Sequence, residues 1–242
     1  MLITFISDTH TQHEQLLQPW DLPGGDLLIH AGDLMNSGRN INDITEFCKW
    51  FDSIEGYDHK VFIAGNHDRM FEDYPEKAME VVNSYKNITY LQDDWIIVGD
   101  GLINETGEKQ TAKIYGSPWQ PWFYDWAFNL PKGGPGLMAK WEAIPKDTDI
   151  LITHGPPQDH LDMSGPPYNE PHLGCALLRE KVDEQPPKIH VFGHIHGGYG
   201  YKFHNGTHFI NAAILNERYE YRNKPMSVNW NPETNEILFY NV

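Results

Sequence analysis

A chain of 242 residues with 40% hydrophobic and 13% aromatic side chains is too long to depend on disulfides for its core and too apolar to remain disordered. Its 34 acidic against 18 basic residues leave a formal charge of −16, which argues against nonspecific binding to nucleic-acid phosphates and against docking on an anionic bilayer. No apolar run reaches membrane-spanning length, Met1 to Ile6 is too short for a signal segment, and Cys48 and Cys175 give no disulfide framework, so the expectation is a cytoplasmic protein without membrane contact.

A first strand is expected over Leu2 to Ile6, running into Ser7-Asp8-Thr9-His10. A second, Leu27 to His30, runs into Ala31-Gly32-Asp33. Ile41, Ile44, Phe47, Cys48 and Phe51 recur at helical spacing and predict an amphipathic helix over 41–54, with Gly56 as its stop. The strand Val61 to Ala64 ends in Gly65-Asn66-His67-Asp68, and a helix with proline at its start follows over Pro75 to Tyr85. Strand-like runs at 95–98 and 112–116 lead to an aromatic segment over 115–128, a glycine-rich loop over 132–136 and a helix from Leu137 to Ile144. Ile150 to Thr153 ends in His154-Gly155 and opens a Pro- and Gly-rich loop over 155–173, followed by a helix from Gly174 to Glu184. Ile189 to Phe192 ends in Gly193-His194-Ile195-His196, and strands follow at 208–212, 226–230 and 237–241. These strands are too many for one doubly wound sheet. The expectation is an α/β protein of two sheets flanked by helices, in a single domain over 1–242.

Five of these strands end in residues that carry lone pairs: Asp8, His10, Asp33, Asn66, His67, His154, His194 and His196. Function in open α/β sheets gathers at strand carboxyl ends, so one site assembled from across the chain is expected. Alternation along a strand would put Asp8 beside His10, and His194 beside His196. Mixed imidazole and carboxylate donors suit Mn, Fe, Zn or Co better than Mg or Ca. The donors are too many for one four-coordinate ion. Two ions need a shared carboxylate, for which Asp33 is the natural bridge. Each motif alone has an ordinary structural explanation, such as a polar turn or a helix cap; their joint occurrence does not. No P-loop is present.

In order and spacing these motifs resemble the calcineurin-like metallophosphoesterase signature, over nearly the whole chain. Tyr115 to Phe123, Thr153 to Pro157 and Val191 to Gly200 are similar to the brain-type metallophosphoesterase-domain-containing proteins, a subgroup related to class III cyclic-nucleotide phosphodiesterases. The resemblance implies a four-layer α/β/β/α sandwich of two mixed sheets with two divalent ions, Mn foremost. Asp8, His10, Asp33 and His196 would hold one ion, and Asp33, Asn66, His154 and His194 the other. His67 would face the leaving group and Asp68 would orient His67. Some relatives in the subgroup lack the histidine found here at 194; its presence implies a complete centre.

The chemistry expected of such a centre is phosphoester hydrolysis. Two ions would lower the pKa of a bridging water, and His67 would give a proton to the departing oxygen. A phosphodiesterase acting on cyclic nucleotides or other small diesters is the leading expectation. The alternatives are a phosphomonoesterase or protein phosphatase on the same core, and a nucleotide-binding module with slow turnover. Arg69, Trp119 and His172 are candidate substrate contacts, His172 because it lies just before a helix start that welcomes anions. Most rings of 115–128 are expected in the core, and His160 on the surface. Partners are expected to be small phosphate esters or nucleotides and not long nucleic acid.

Overall fold

The computed structural model describes residues 1–17, 21–99, 110–166, 168, 169 and 171–240; Pro167 and Glu170, within the 155–173 loop, fall outside the described residues. The first half contains β1 (Leu2–Ile6), α1 (His13–Leu16), β2 (Gly25–His30), α2 (Ile41–Ser53), β3 (Tyr57–Phe62), α3 (Arg69–Asp73), α4 (Pro75–Val82), β4 (Thr89–Tyr90), β5 (Asp94–Val98) and β6 (Ala112–Ser117). The second half contains β7 (Gln120–Pro121), β8 (Asn129–Leu130), α5 (Pro135–Glu142), β9 (Ile150–Thr153), α6 (Ala176–Glu184), β10 (Ile189–Phe192), β11 (Gly200–His204), β12 (Thr207–Asn211), β13 (Met226–Trp230) and β14 (Ile237–Tyr240).

Two mixed sheets carry the fold, in the orders β14-β13-β1-β2-β3-β4 and β11-β12-β10-β9-β6-β5. Strands β1 to β4 run parallel, as do β6, β9, β10 and β12; the antiparallel pairings are β1 with β13 and β13 with β14 in the first sheet, and β12 with β11 and β6 with β5 in the second. Alternation along each strand sorts its side chains between two cores. Leu27, Ile29, Val61 and Ile63 of the first sheet meet Ile114, Ile152, Val191 and Ile210 of the second. On the outer face of the first sheet, Leu28 and Phe62 pack against Phe47, Phe51 and Ala78 of α2 and α4. On the outer face of the second, Leu151, Phe192 and Phe209 pack against Trp141 and Leu178 of α5 and α6. The result is the expected α/β/β/α sandwich. Strands that run unbroken in Val, Ile and Leu do so because both their faces are covered.

The predicted helices occur at 41–53, 75–82, 135–142 and 176–184, close to their expected bounds. Pro75 and Pro135 each occupy the first turn of a helix, where the missing N–H has no role. The expected loop over 132–136 therefore gives its last two residues to α5. No helix among the described residues is long and apolar enough to cross a membrane.

Candidate metal centre

β1, β2, β3, β9 and β10 deliver their carboxyl ends to one place. Each chain leaves its strand by a sharp turn, and three turns need left-handed backbone at a functional residue. Asp8, His10, Asp33 and His194 have φ of 57°, 43°, 58° and 64°. Such conformations cost free energy in non-glycine residues and persist only when surroundings hold them. Here the holding is explicit: Asp8, His10 and Thr11 donate backbone N–H to Gly32, Asp33 and Leu34 carbonyls at 2.9–3.0 Å.

These turns correct one expectation. Strand alternation does not aim the side chains, because β1 stops at Ile6 and β10 at Phe192, before the residues concerned. His194 and His196 go to different partners. His196 Nε2 lies 3.3 Å from Asp8 Oδ1, whereas His194 joins Asp33 and His154.

Asp8, His10 and His196 form one cluster of potential ligands, and Asp33, His154 and His194 a second, each with ligand atoms within 4.8 Å of one another. Asp33 reaches both. Its Oδ2 is 3.6 Å from His10 Nε2 and its Oδ1 is 3.3 Å from His154 Nε2. Asn66 Oδ1 is 2.9 Å from the same His154 nitrogen. A third grouping, His10, Asp33 and His67, shares His10 with the first cluster and Asp33 with the second.

Four of the five imidazoles present the same ring nitrogen to a backbone carbonyl. Nδ1 of His10, His154 and His196 meets the carbonyls of Met35, Ala31 and Asn216 at 3.1, 3.0 and 2.9 Å, and Nδ1 of His67 meets that of Asn36. A carbonyl can only accept, so each Nδ1 carries the proton and, in the neutral ring, each Nε2 carries a lone pair. Those of His10, His154 and His196 face oxygens that also only accept, on Asp8, Asp33 and Asn66. His10 Nε2 is buried with no hydrogen-bond partner among the described residues. Lone pair facing lone pair in a buried space is repulsive unless a cation lies between them, so the donor set fits divalent ions.

The ionisation of the protein alone expresses the same demand. Burial opposes a charge on His154 and His196, yet the Asp33 and Asp8 carboxylates override it and raise both to about 9. Burial opposes charge on Asp8 and Asp33 too, and the facing histidines hold both below the usual carboxylate range. Burial keeps His10 and His194 neutral, at about 4 and about 3. Protons on His154 and His196 occupy the positions a metal would take.

The cradle around these groups is tight. A Cβ on Gly193 would collide with Asp8 Oδ2 and Ser7 Oγ, and one on Gly65 with Asp33 Oδ1. Small residues here let backbone come against the carboxylates.

Two further positions differ from expectation. Asp68 does not orient the His67 ring. Its carboxylate accepts from the backbone N–H of Asp33, Leu34, Met35 and Gly65 at 2.9, 3.3, 2.8 and 2.7 Å, so it ties the two loops together. The Asn36 carbonyl takes His67 Nδ1 instead, and the Trp126 indole stacks on the ring. Tyr219 was not singled out in the sequence either, yet its ring meets His10 and His196 at centroid distances of 4.8 and 5.4 Å. It lies in an irregular segment after β12, which no strand or helix periodicity marks.

The centre opens into a cleft of roughly 480 Å³, walled by Trp122, Phe123 and Tyr124 on one side and Tyr168 and Leu173 on another. The three candidate substrate contacts are not in it. Arg69 is held by the Asp125 carbonyl at 2.5 Å and by Asp73 at 3.7 Å. Trp119 packs on Phe128 and donates Nε1–H to Asp93 at 2.8 Å. His172 is exposed and pairs with Asp159 at 2.6 Å. Each has a local partner that draws it away from the centre.

A sequence profile of the calcineurin-like phosphoesterase family matches residues 1–198. The chain belongs to this family. It is a metal-dependent phosphoesterase, and its two ligand clusters match a family whose members carry a di-metal centre. Human metallophosphoesterase domain-containing protein 1 is 37% identical over 237 residues, covering 92% of this chain and 69% of its own. The mouse protein of the same name gives the same values. Among solved structures, the protein TT1561 of Thermus thermophilus superposes with a TM-score of 0.63 at 15% identity, over 99% of this chain and 98% of that one; at that identity the likeness concerns fold alone.

Proposed function

We propose that this phosphoesterase hydrolyses small diesters that carry a planar base, cyclic nucleotides foremost, with Mn²⁺ in the centre. The observation that carries the reading is the cleft wall. Trp122, Phe123 and Tyr124 are 59%, 48% and 66% exposed beside the ligand cluster, and the Phe123 ring lies 6.0 Å from that of His194. Large apolar rings held in solvent next to a polar centre suit a stacking partner. The charge of the cleft favours a diester. Among the described lining residues Lys132 is the one Lys or Arg side chain, and no arginine fork is available for a dianionic monoester.

Asp8, His10, Asp33 and His196 would hold one ion, and Asp33, Asn66, His154 and His194 the other. Bound there, the two ions supply Lewis-acid stabilisation of the phosphoryl oxygens and an activated water. The protein's own part is positional. The carbonyls of Met35, Ala31 and Asn216 fix three of the four ligand imidazoles, those of His10, His154 and His196, in the tautomer that presents Nε2. His67, which lines the cleft, is held by the Asn36 carbonyl at Nδ1 and by the Trp126 indole, which leaves Nε2 without a role in that hold. Water adds to phosphorus and the ester P–O bond breaks; His67 in its doubly protonated form, Nδ1–H on the Asn36 carbonyl, would pass the Nε2 proton to the departing oxygen, and a proton released by the added water would restore it. The buried, unpaired Cys48 and Cys175 support a cytoplasmic setting, and the charge of −16 opposes long polyanionic substrates.

The test is a Mn²⁺-supplemented panel of a nitrophenyl diester, the matching monoester, and 2′,3′- and 3′,5′-cyclic nucleotides. The expected result is faster turnover of diesters, with Phe123→Ala raising KM for the cyclic nucleotides. Preference for the monoester, or a KM indifferent to Phe123, would reject the substrate class while leaving the hydrolase standing.

A further inference from the structure

Outside the cleft, a second group of donors converges. His160, Asp183 and His204 bring one ligand atom each within 4.8 Å of one another. They come from three separate elements: the loop after β9, the helix α6 and the last residue of β11.

His160 is the informative member. Its sequence context suggests a surface histidine, but it is 1% exposed. Neither ring nitrogen has a hydrogen-bond partner among the described residues. An imidazole has one N–H and one lone pair to satisfy, and a buried polar group left without a partner is destabilising. The ring stacks on Phe209 at 3.9 Å and faces His204 at 5.3 Å. Asp183 and His204 are exposed, so the group opens to solvent.

We propose that His160, Asp183 and His204 form a separate site for a transition-metal ion such as Zn²⁺. Two imidazoles and one carboxylate are a zinc-type donor set, with water completing the shell. Bonds of about 2.0–2.1 Å place tetrahedral ligand atoms roughly 3.3 Å apart. The exposed side chains of Asp183 and His204 can close the remaining gap without moving the core.

The surrounding charges are already engaged. Arg179 Nε binds Asp183 Oδ2 and its NH1 binds Asp159 Oδ2, both at 2.6 Å, and Lys202 Nζ donates to the Asp159 carbonyl at 2.8 Å. An anion would find these two cations occupied, whereas a metal needs only lone pairs. Burial keeps His160 neutral, with its pKa down to about 4, and Lys202 and Arg179 push the same way. Neutral imidazole is the form that binds metal. An ion here would tie the loop that supplies Ser164 and Leu173 to the cleft onto α6 and β11.

Equilibrium dialysis of the full chain against micromolar free Zn²⁺, with metal counted by mass spectrometry, tests the site. Wild type is expected to retain one more equivalent of zinc than either His204→Ala or Asp183→Asn, and zinc is expected to raise its Tm further than theirs. Both substitutions are at exposed positions, so the variants keep the fold, which circular dichroism checks. Equal zinc content and equal Tm shifts in all three proteins would overturn the proposal and leave His160 to a buried water. Ester hydrolysis is not the readout, so the outcome is independent of the function proposed above.

Discussion

The imidazole of His67 stacks on the indole of Trp126, with ring centroids 4.0 Å apart and planes 27° from parallel. The stack and the Asn36 carbonyl together fix the ring plane, while Nδ1 is occupied and Nε2 remains for chemistry. Trp126→Ala should lower kcat on the order of 10- to 100-fold, since a loosened ring misplaces the proton donor. Bound metal and KM should change little, and Trp126→Phe should restore most of the loss. A variant that loses metal or changes only KM would assign Trp126 to folding or to substrate contact instead.

Removal of the imidazole itself should depend on the leaving group. His67→Ala should cost about 10²–10⁴ in turnover of an alkyl ester, where the departing oxygen needs a proton. The loss should be far smaller for a nitrophenyl ester, whose oxygen leaves as a stable anion. Metal content should match wild type. Equal losses on both esters would contradict the proton-donor role.

Gly193 offers a test of the cradle. The added methyl of Gly193→Ala would meet Asp8 Oδ2 and Ser7 Oγ. The expected cost is about 1–3 kcal/mol of stability, typical of overpacking, together with weakened metal at the Asp8, His10 and His196 cluster. Urea unfolding and metal titration read the two effects separately. Unchanged metal affinity would mean that the turn relaxes without moving Asp8.

Buried neutral histidines that are not themselves ligands should make the fold acid-sensitive. Burial lowers His13 and His30 to about 4 and about 3, and His190 well below its ordinary value. Their folded pKa values lie below the unfolded one, so the stability they contribute is complete above about pH 6.5 and is lost as pH falls through the interval below it. The urea midpoint should fall from about pH 7 to about pH 5, each fully buried group adding a slope of up to about 1.4 kcal/mol per pH unit. His30→Gln, which can keep the bond to Thr9, should flatten that slope. A midpoint that rises on acidification would refute this assignment.

Much of this organisation was legible in the sequence, and the reason is geometric. Strands covered on both faces read as short apolar runs, and the ends of β1, β2, β3, β9 and β10 could be found where those runs stop at Asp, Asn and His. Helix bounds followed from proline and from periodicity. What escaped was everything set by contacts distant in sequence. The carbonyl of Asn36 has no side-chain signature. Tyr219 belongs to no periodic element. The resemblance implies that Asp68 orients His67, but four backbone N–H groups occupy its carboxylate instead. The split of His194 from His196 follows from a left-handed turn at residue 194, which strand alternation does not anticipate. Aromatic density in 115–128 was visible, but not that Trp122, Phe123 and Tyr124 would face solvent while Tyr115 and Phe128 are buried.

The central claim is that opposed lone pairs at these strand ends bind the ions on which phosphoester hydrolysis depends, and Asp33 reaches both clusters. The most direct measurement is the rate of nitrophenyl diester hydrolysis after chelation, as Mn²⁺ is restored, in wild type and in Asp33→Asn. Chelated wild type is expected to be inactive and to recover with added Mn²⁺, while Asp33→Asn stays inactive at concentrations that saturate wild type. Hydrolysis that survives chelation, or an Asp33→Asn protein that recovers as wild type does, would contradict it.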